Sequence, residues 1–190
     1  RFLNILVLLA LTVGAQASPA QAVGLVLYVN PRGPLSGECN SWPNACNLQY
    51  AISLAGVGDQ VWVMEGTYTP LGSRDDSFVL ESGVSIYGGF AGSETLLGQR
   101  DPALHLTILS GDIGSVGVAT DNSYHVVDGG GSDNTARLDG FSITGGYANG
   151  ASPEDSGAGM YNDYSSPTLK NLIFQGNWAA DRGGGMYNIG

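Results

Sequence analysis

The chain has 190 residues, of which 43% are hydrophobic and 13% charged, a length and composition that fit one folded domain with its own core. Its formal net charge is −10, because 17 acidic residues outnumber 7 basic ones. Nucleic-acid-binding surfaces need clustered Lys and Arg. The basic residues here are spread singly along the chain, so nucleic acid is excluded as a partner.

The N-terminal segment is predicted to be an export signal. Residues 2–13 form an apolar run that is too short to span a membrane, and residues 15–17 and 20–22 both fit the Ala-x-Ala cleavage pattern. We therefore expect residues 1–22 to be a signal peptide that lacks its true start. The mature domain is expected to be exported without inserting into the membrane.

Two cysteines follow the first predicted strand, residues 25–30. Cys39 and Cys46 stand on either side of a Ser-Trp-Pro-Asn segment. In an exported protein such a pair most simply forms a disulfide, which stabilises the short loop by roughly 2.5 kcal/mol. The chain has no other Cys and no His near this pair, and a zinc site needs more ligands. No metal is therefore expected here.

Residues 47–56 have helical periodicity, with apolar residues at positions 48, 51, 52 and 55. Asn47 suits the N-cap of this helix and Gly56 its C-terminal cap. An open sheet exposes its core and its unpaired edge at the first strand, so we expect the helix to act as a lid there. The predicted N-terminal cap covers about residues 25–57.

Three segments share one strand pattern, in which Gly or Asn is followed by two apolar residues spaced two apart and then by Gly. They are residues 83–89, 140–146 and 171–177. Apolar residues two apart point to the same side of a strand, and we assign these to the core: Val84, Ile86, Phe141, Ile143, Leu172 and Phe174. Gly and Asn, which occupy positions 83, 140 and 171, enter the left-handed region most cheaply, so a bend is predicted at each position.

A short phrase occurs twice near the end of the chain. Gly-Ala-Gly-Met-Tyr-Asn at 157–162 returns as Gly-Gly-Gly-Met-Tyr-Asn at 183–188, 26 residues later. A period of this length is typical of solenoids, in which each unit stacks on copies of itself.

The repeated phrase supplies four candidate ligand-binding residues. On adjacent parallel strands, Tyr161 would lie about 5 Å from Tyr187, and Asn162 the same distance from Asn188. The tyrosines could stack on sugar rings while the amides hydrogen-bond to hydroxyl groups. The same ladder would also stabilise a solenoid without any ligand, and this alternative stays open.

The repeated segments resemble those of bacterial secreted and cell-surface proteins with right-handed parallel β-helix repeats, including the polymorphic-membrane-protein type. The resemblance covers essentially the whole mature chain. It is carried by the repeated Gly-x-Gly-Met-Tyr-Asn phrase and by residues 58–63, 66–68, 87–90, 99–102 and 139–146. It implies an all-β, pectin-lyase-like domain: a right-handed parallel β-helix over residues 23–190, with a short capping helix and a continuation beyond residue 190.

The function implied by the resemblance is that of a secreted or cell-surface bacterial module with a structural or adhesive role. Its expected partner is a polysaccharide or a cell-surface glycan. The alternative is a polysaccharide lyase or glycoside hydrolase, because the same scaffold carries both classes. Such enzymes need converging carboxylates, whereas the aspartates here mostly stand beside Gly or Asn, at turn positions. No catalytic residue, cofactor or metal site is expected, and residues 129–133 match the calcium-binding β-roll cadence only once.

Overall fold

The computed structural model describes residues 24–190, so the predicted signal peptide lies outside the described residues. Within that range the chain forms one α-helix, α1 (Leu48–Leu54), and three 3-10 helices (Trp42–Asn44, Leu97–Gln99 and Ala119–Asp121). The thirteen strands of the same range are β1 (Val26–Val29), β2 (Gln60–Met64), β3 (Gly66–Tyr68), β4 (Phe78–Val79), β5 (Ser85–Phe90), β6 (Thr107–Ser110), β7 (Val127–Asp128), β8 (Arg137–Thr144), β9 (Tyr147–Ala148), β10 (Met160–Asp163), β11 (Thr168–Gln175), β12 (Trp178–Ala179) and β13 (Met186–Ile189).

Seven strands form one curled parallel sheet in the order β1-β2-β5-β8-β6-β3, with β11 also paired to β8. The long strand β8 organises this sheet. Its first residues pair with β5 and its last residues with β6, while β11 follows its full length. The remaining strands form two smaller parallel sheets, one in the order β13-β10-β7-β4 and the other made of β12 and β9.

The predicted bends are confirmed. Gly83, Gly140 and Asn171 have φ values of 82°, 91° and 50°, all in the left-handed region. The register of β8 and β11 places Gly140 opposite Asn171, because the residues on either side of them pair directly. Both strands therefore turn at the same level, and the sheet bends there as a unit.

The prediction of an all-β, right-handed parallel β-helix is wrong. The described chain contains a curled parallel sheet, two small sheets and an α-helix, and only about 33% of it is strand. A solenoid needs rungs of similar length. Here the sequence separation between paired residues increases from 25 (Gln60 with Ser85) to 52 (Ser85 with Arg137). The 26-residue repeat is realised by β10 and β13 alone among these pairs, from Met160 to Met186.

The predicted core residues in β8, in β5 and directly before β5 are buried, as expected. Val84, Ile86, Phe141 and Ile143 are all at most 2% exposed. The corresponding residues of β11, Leu172 and Phe174, are only partly buried and pack against this core.

The predicted helix is confirmed, with a different C-terminal end. The side chain of Asn47 accepts hydrogen bonds from the backbone N–H groups of Gln49 and Tyr50, at 2.9 and 3.3 Å, as an N-cap should. The helix packs against β1 and β2. Its C-cap is Ala55, in an extended conformation, and not Gly56.

The predicted disulfide between Cys39 and Cys46 is also confirmed, with a Cα–Cα distance of 5.2 Å. Both residues are fully buried. Trp42, within the loop that the disulfide closes, donates from Nε1 to the backbone carbonyl of Glu94 at 2.9 Å. The centroid of its ring also lies 4.8 Å from that of Tyr28 in β1. These contacts hold the loop against β1 and against the segment that follows β5.

A buried ion pair lies next to the bends in β8 and β11 and supports them. The Asp139 carboxylate is 2.9 Å from Nη2 of Arg100, and their side chains are 3% and 13% exposed. Nη1 of Arg100 donates to the backbone carbonyl of Gly88 at 2.9 Å. The side-chain amide of Asn171 donates to the same carboxylate at 2.8 Å, which ties the bend residue to the buried charge.

Candidate functional site

The pairing of β10 with β13 brings all four candidate ligand-binding residues together. Tyr161 stands directly opposite Tyr187, and Asn162 directly opposite Asn188. Successive side chains of a strand point to opposite faces, and accordingly Asn162 is buried while Tyr161 is half-buried on the other face. The tyrosines and asparagines therefore form two separate rows instead of one mixed ladder.

The outward row consists of Tyr161 and Tyr187, with ring centroids 6.0 Å apart and planes inclined by 36°. The register with β7 extends this row to Asp128, which stands opposite Tyr161. At the other end, Nη1 of Arg182 donates to the Tyr187 hydroxyl at 3.1 Å. The row is thus an aromatic surface with an acid at one end and a base at the other.

The second row consists of Asn162, which is buried, and Asn188, which is exposed on the edge strand β13. The side-chain amide of Asn162, which is 2% exposed, donates to Oδ1 of Asn188 at 2.7 Å. Asn162 therefore connects β10 to β13 from the interior of the protein. Its burial places it out of reach of a ligand on the tyrosine surface.

His125 adds a third ring to the outward row. Its imidazole stacks on Tyr161 with centroids 4.9 Å apart and an interplanar angle of 29°. The distance from its Nδ1 to the carbonyl oxygen of Gly157 is 3.2 Å. Because a carbonyl only accepts hydrogen bonds, Nδ1 carries the proton, and Nε2 has a free lone pair when the ring is neutral.

Burial disfavours the charged form of His125. The side chain is only 9% exposed, and burial lowers the pKa of the imidazole below its ordinary value, although the bond to Gly157 and the charges of Asp128, Glu154 and Asp155 act in the opposite direction. Within residues 24–190, Nε2 of His125 makes no hydrogen bond to the protein.

The sequence contains no signal that would have identified His125 as part of this site. Its partners are Gly157 and Tyr161, and neither is near it along the chain. The sequence alone does not assign His125 to a face of a strand, because residues 124–127 lack a clear alternation. Only the register of β7 with β10 brings these residues together.

A small acidic cavity of about 160 Å³ opens beside Tyr161. It is lined by Asp75, Ser77, Tyr124, His125, Asp128, Pro153, Glu154 and Tyr161. Its three charged residues, Asp75, Asp128 and Glu154, are all acidic. Burial first, and then nearby negative charges that include Asp128, raise the pKa of the Tyr161 hydroxyl, so this phenol is protonated at neutral pH.

Within residues 24–190, no three His, Cys, Asp or Glu side chains are arranged to hold a metal ion. None of the helices in this range has the length and apolar character of a membrane span.

The chain matches no protein-family model, no curated protein and no solved structure. What defines the site is therefore its geometry: a row of aromatic rings on a parallel sheet, next to an acidic cavity.

Proposed function

We propose that this chain is an exported module, secreted or displayed on the cell surface, that binds glycans in a structural or adhesive role. The observation that carries the proposal is the aromatic row of Tyr161 and Tyr187, with the buried ring of His125 stacked on Tyr161. Neighbouring ring centroids along it are 4.9 and 6.0 Å apart. These rings come from segments far apart in the sequence and are held in line by parallel strands.

The chemistry of this surface suits a sugar. Aromatic side chains bury large apolar areas at little conformational cost, and the tyrosine hydroxyl keeps a polar group at the edge of the ring. A sugar ring offers the complementary combination of a C–H face and peripheral hydroxyl groups. Asp128 at one end of the row and Arg182 at the other supply charged groups that accept and donate hydrogen bonds.

A glycan array probed with the full chain tests this proposal. We expect selective retention of one class of glycan, and about tenfold weaker binding for Tyr187→Ala, since the outermost ring of a small aromatic site carries much of its affinity. Tyr164→Ala is the matched control, because Tyr164 is 81% exposed and lies outside the row. If no glycan is retained, or if both variants bind like the wild type, the proposal is wrong.

A further inference from the structure

We infer that the acidic cavity binds the protonated amino group of an amino sugar, so that the module selects glycans with free amines over their N-acetylated forms. The inference rests on the proposed glycan binding and specifies the class of sugar. It starts from the cavity at one end of the aromatic row, where Tyr161 is both a cavity wall and a ring of the row.

The first argument is the balance of donors and acceptors. Asp75, Asp128 and Glu154 are acceptors when ionised, and Nε2 of the neutral His125 is a fourth acceptor. The hydroxyl of Ser77, a donor in the cavity wall, is already used, because it donates to the backbone carbonyl of His125 at 2.8 Å. The hydroxyl groups of Tyr124 and Tyr161 also border the cavity, but its charged groups are all acceptors. The cavity therefore favours a positively charged donor such as an ammonium group.

The second argument is the unused hydrogen-bonding capacity of these groups. His125 is 9% exposed, and its Nε2 has no hydrogen-bond partner within residues 24–190, so this acceptor is available to a ligand that enters the cavity. Glu154 is half-buried, and its carboxylate accepts no hydrogen bond from residues 24–190. Two acceptors without a protein partner therefore border the same opening, where a donor group of a ligand can reach both.

The third argument is that no Arg or Lys side chain of residues 24–190 lines the cavity. Arg74 lies over the ring of Tyr124, 4.0 Å from its centroid. Its guanidinium donates to the backbone carbonyls of Asn122 and Tyr147 at 2.6 and 2.8 Å, and to Oδ1 of Asn149 at 2.6 Å. These bonds hold the guanidinium outside the cavity lining, and it forms no ion pair with Asp75, Asp128 or Glu154.

The size and the aromatic wall fit the same ligand. A volume of about 160 Å³ equals that of roughly five water molecules, enough for one amine-bearing ring or part of it. The rest of the glycan would then extend along Tyr161 and Tyr187.

Calorimetry with two matched ligands tests the inference. The full chain is titrated with glucosamine oligomers and with N-acetylglucosamine oligomers of equal length, at about pH 6, where the amines are protonated and the carboxylates ionised. We expect tighter binding of the free amines, with an affinity that falls as salt is added.

The variant Glu154→Gln locates the amine. It keeps the size of the side chain and breaks no side-chain hydrogen bond within the described residues. We expect about fivefold weaker binding of glucosamine oligomers and unchanged binding of the N-acetylated ones. Glu81→Gln, at an exposed site outside the cavity, should bind like the wild type.

The outcomes separate this inference from the proposed function. If both ligands bind equally, or if Glu154→Gln does not weaken the amine, glycan binding stands and the amino-sugar inference is overturned. If neither oligomer binds and the glycan array is also empty, both are overturned. Preferential amine binding that Glu154→Gln removes supports both.

Discussion

The imidazole of His125 stacks on the ring of Tyr161, with centroids 4.9 Å apart, while its Nδ1 donates to the carbonyl oxygen of Gly157 at 3.2 Å. This arrangement buries a titratable ring in contact with β10, one of the two strands that carry the proposed binding surface. Protonating the ring would place a charge where water hardly reaches. The stability of the fold therefore depends on pH through His125.

We expect the free energy of unfolding to decrease as the pH falls below about 6.5, and to decrease less in His125→Gln. Burial lowers the pKa of His125 in the folded state, so the unfolded chain takes up the proton first. The stabilisation from burying the neutral imidazole is complete above the unfolded-state pKa of about 6.5. It is lost as the pH falls toward the pKa of His125 in the folded state. Urea unfolding at a series of pH values measures this. Parallel curves for wild type and variant would contradict it.

Asp139→Ala should lower the free energy of unfolding by about 3–5 kcal/mol. The substitution leaves the Arg100 guanidinium, 13% exposed, without its carboxylate partner, and an unpaired buried charge is strongly destabilising. Asp181→Ala is the control, because the pair of Asp181 and Arg182 is more than half exposed. That variant should stay within about 1 kcal/mol of the wild type. Similar losses for the two variants in denaturant unfolding would argue against the buried pair.

Substitutions of Asn171 separate backbone strain from hydrogen bonding. Asn171→Gly keeps the left-handed conformation (φ 50°) but loses the bond to Asp139. Asn171→Val loses the same bond and adds the strain of a β-branched residue at positive φ. We therefore expect the Val variant to be less stable than the Gly variant by about 1 kcal/mol or more. Equal thermal midpoints for the two would show that the bend does not require a residue tolerant of positive φ.

Glu94→Gln should destabilise the loop after β5, with an effect that fades in acid. The Glu94 carboxylate accepts hydrogen bonds from the backbone N–H groups of Ala91, Gly92 and Ser93, at 2.7, 3.0 and 2.9 Å. Burial alone would raise the pKa of Glu94, but these bonds outweigh it and the pKa is lowered.

The stabilisation from Glu94 is present above its ordinary pKa of 4.5 and is lost as the pH falls through the lowered value. At neutral pH we expect Glu94→Gln to lower the free energy of unfolding by about 1.5–3 kcal/mol. The difference from the wild type should shrink below pH 4.5. A difference that stays constant down to acid pH would mean that the charge of Glu94 contributes nothing.

Local chemistry made part of the fold predictable from the sequence. The N-cap at Asn47 and the disulfide of Cys39 with Cys46 each follow from the residue type and its immediate neighbours. Gly140 and Asn171 were recognisable as bends for the same reason, because few residue types adopt positive φ. These features hold whichever strands pair.

The architecture was not predictable in this way, because it depends on which distant segments pair. A repeat seen once, between 157–162 and 183–188, indicated a regular solenoid. Earlier connections vary in length, however, and β8 pairs with β5 over one half and with β6 over the other. Hydrophobic alternation fixes the face of a strand but not its partner.

The candidate site was predictable only in part. Tyr161 and Tyr187 occupy equivalent positions in the repeated phrase, and this correctly predicted that they lie side by side on adjacent strands. That Asn162 would lie on the other face follows from the alternation of a strand. His125 and the carboxylates of the cavity come from other segments, so only the three-dimensional arrangement identifies them as members of the site.

The parallel pairing of the strands has a consequence for how fast the protein folds. Every strand pair in residues 24–190 is parallel, so no pair begins as a hairpin, and β5 meets β8 only after the chain has closed a loop from Ser85 to Arg137. The entropy of such loops is lost before the contacts that compensate for it are formed. Refolding should therefore be slow, on the order of milliseconds to seconds or longer, with hydrophobic strand edges exposed to other chains in the meantime.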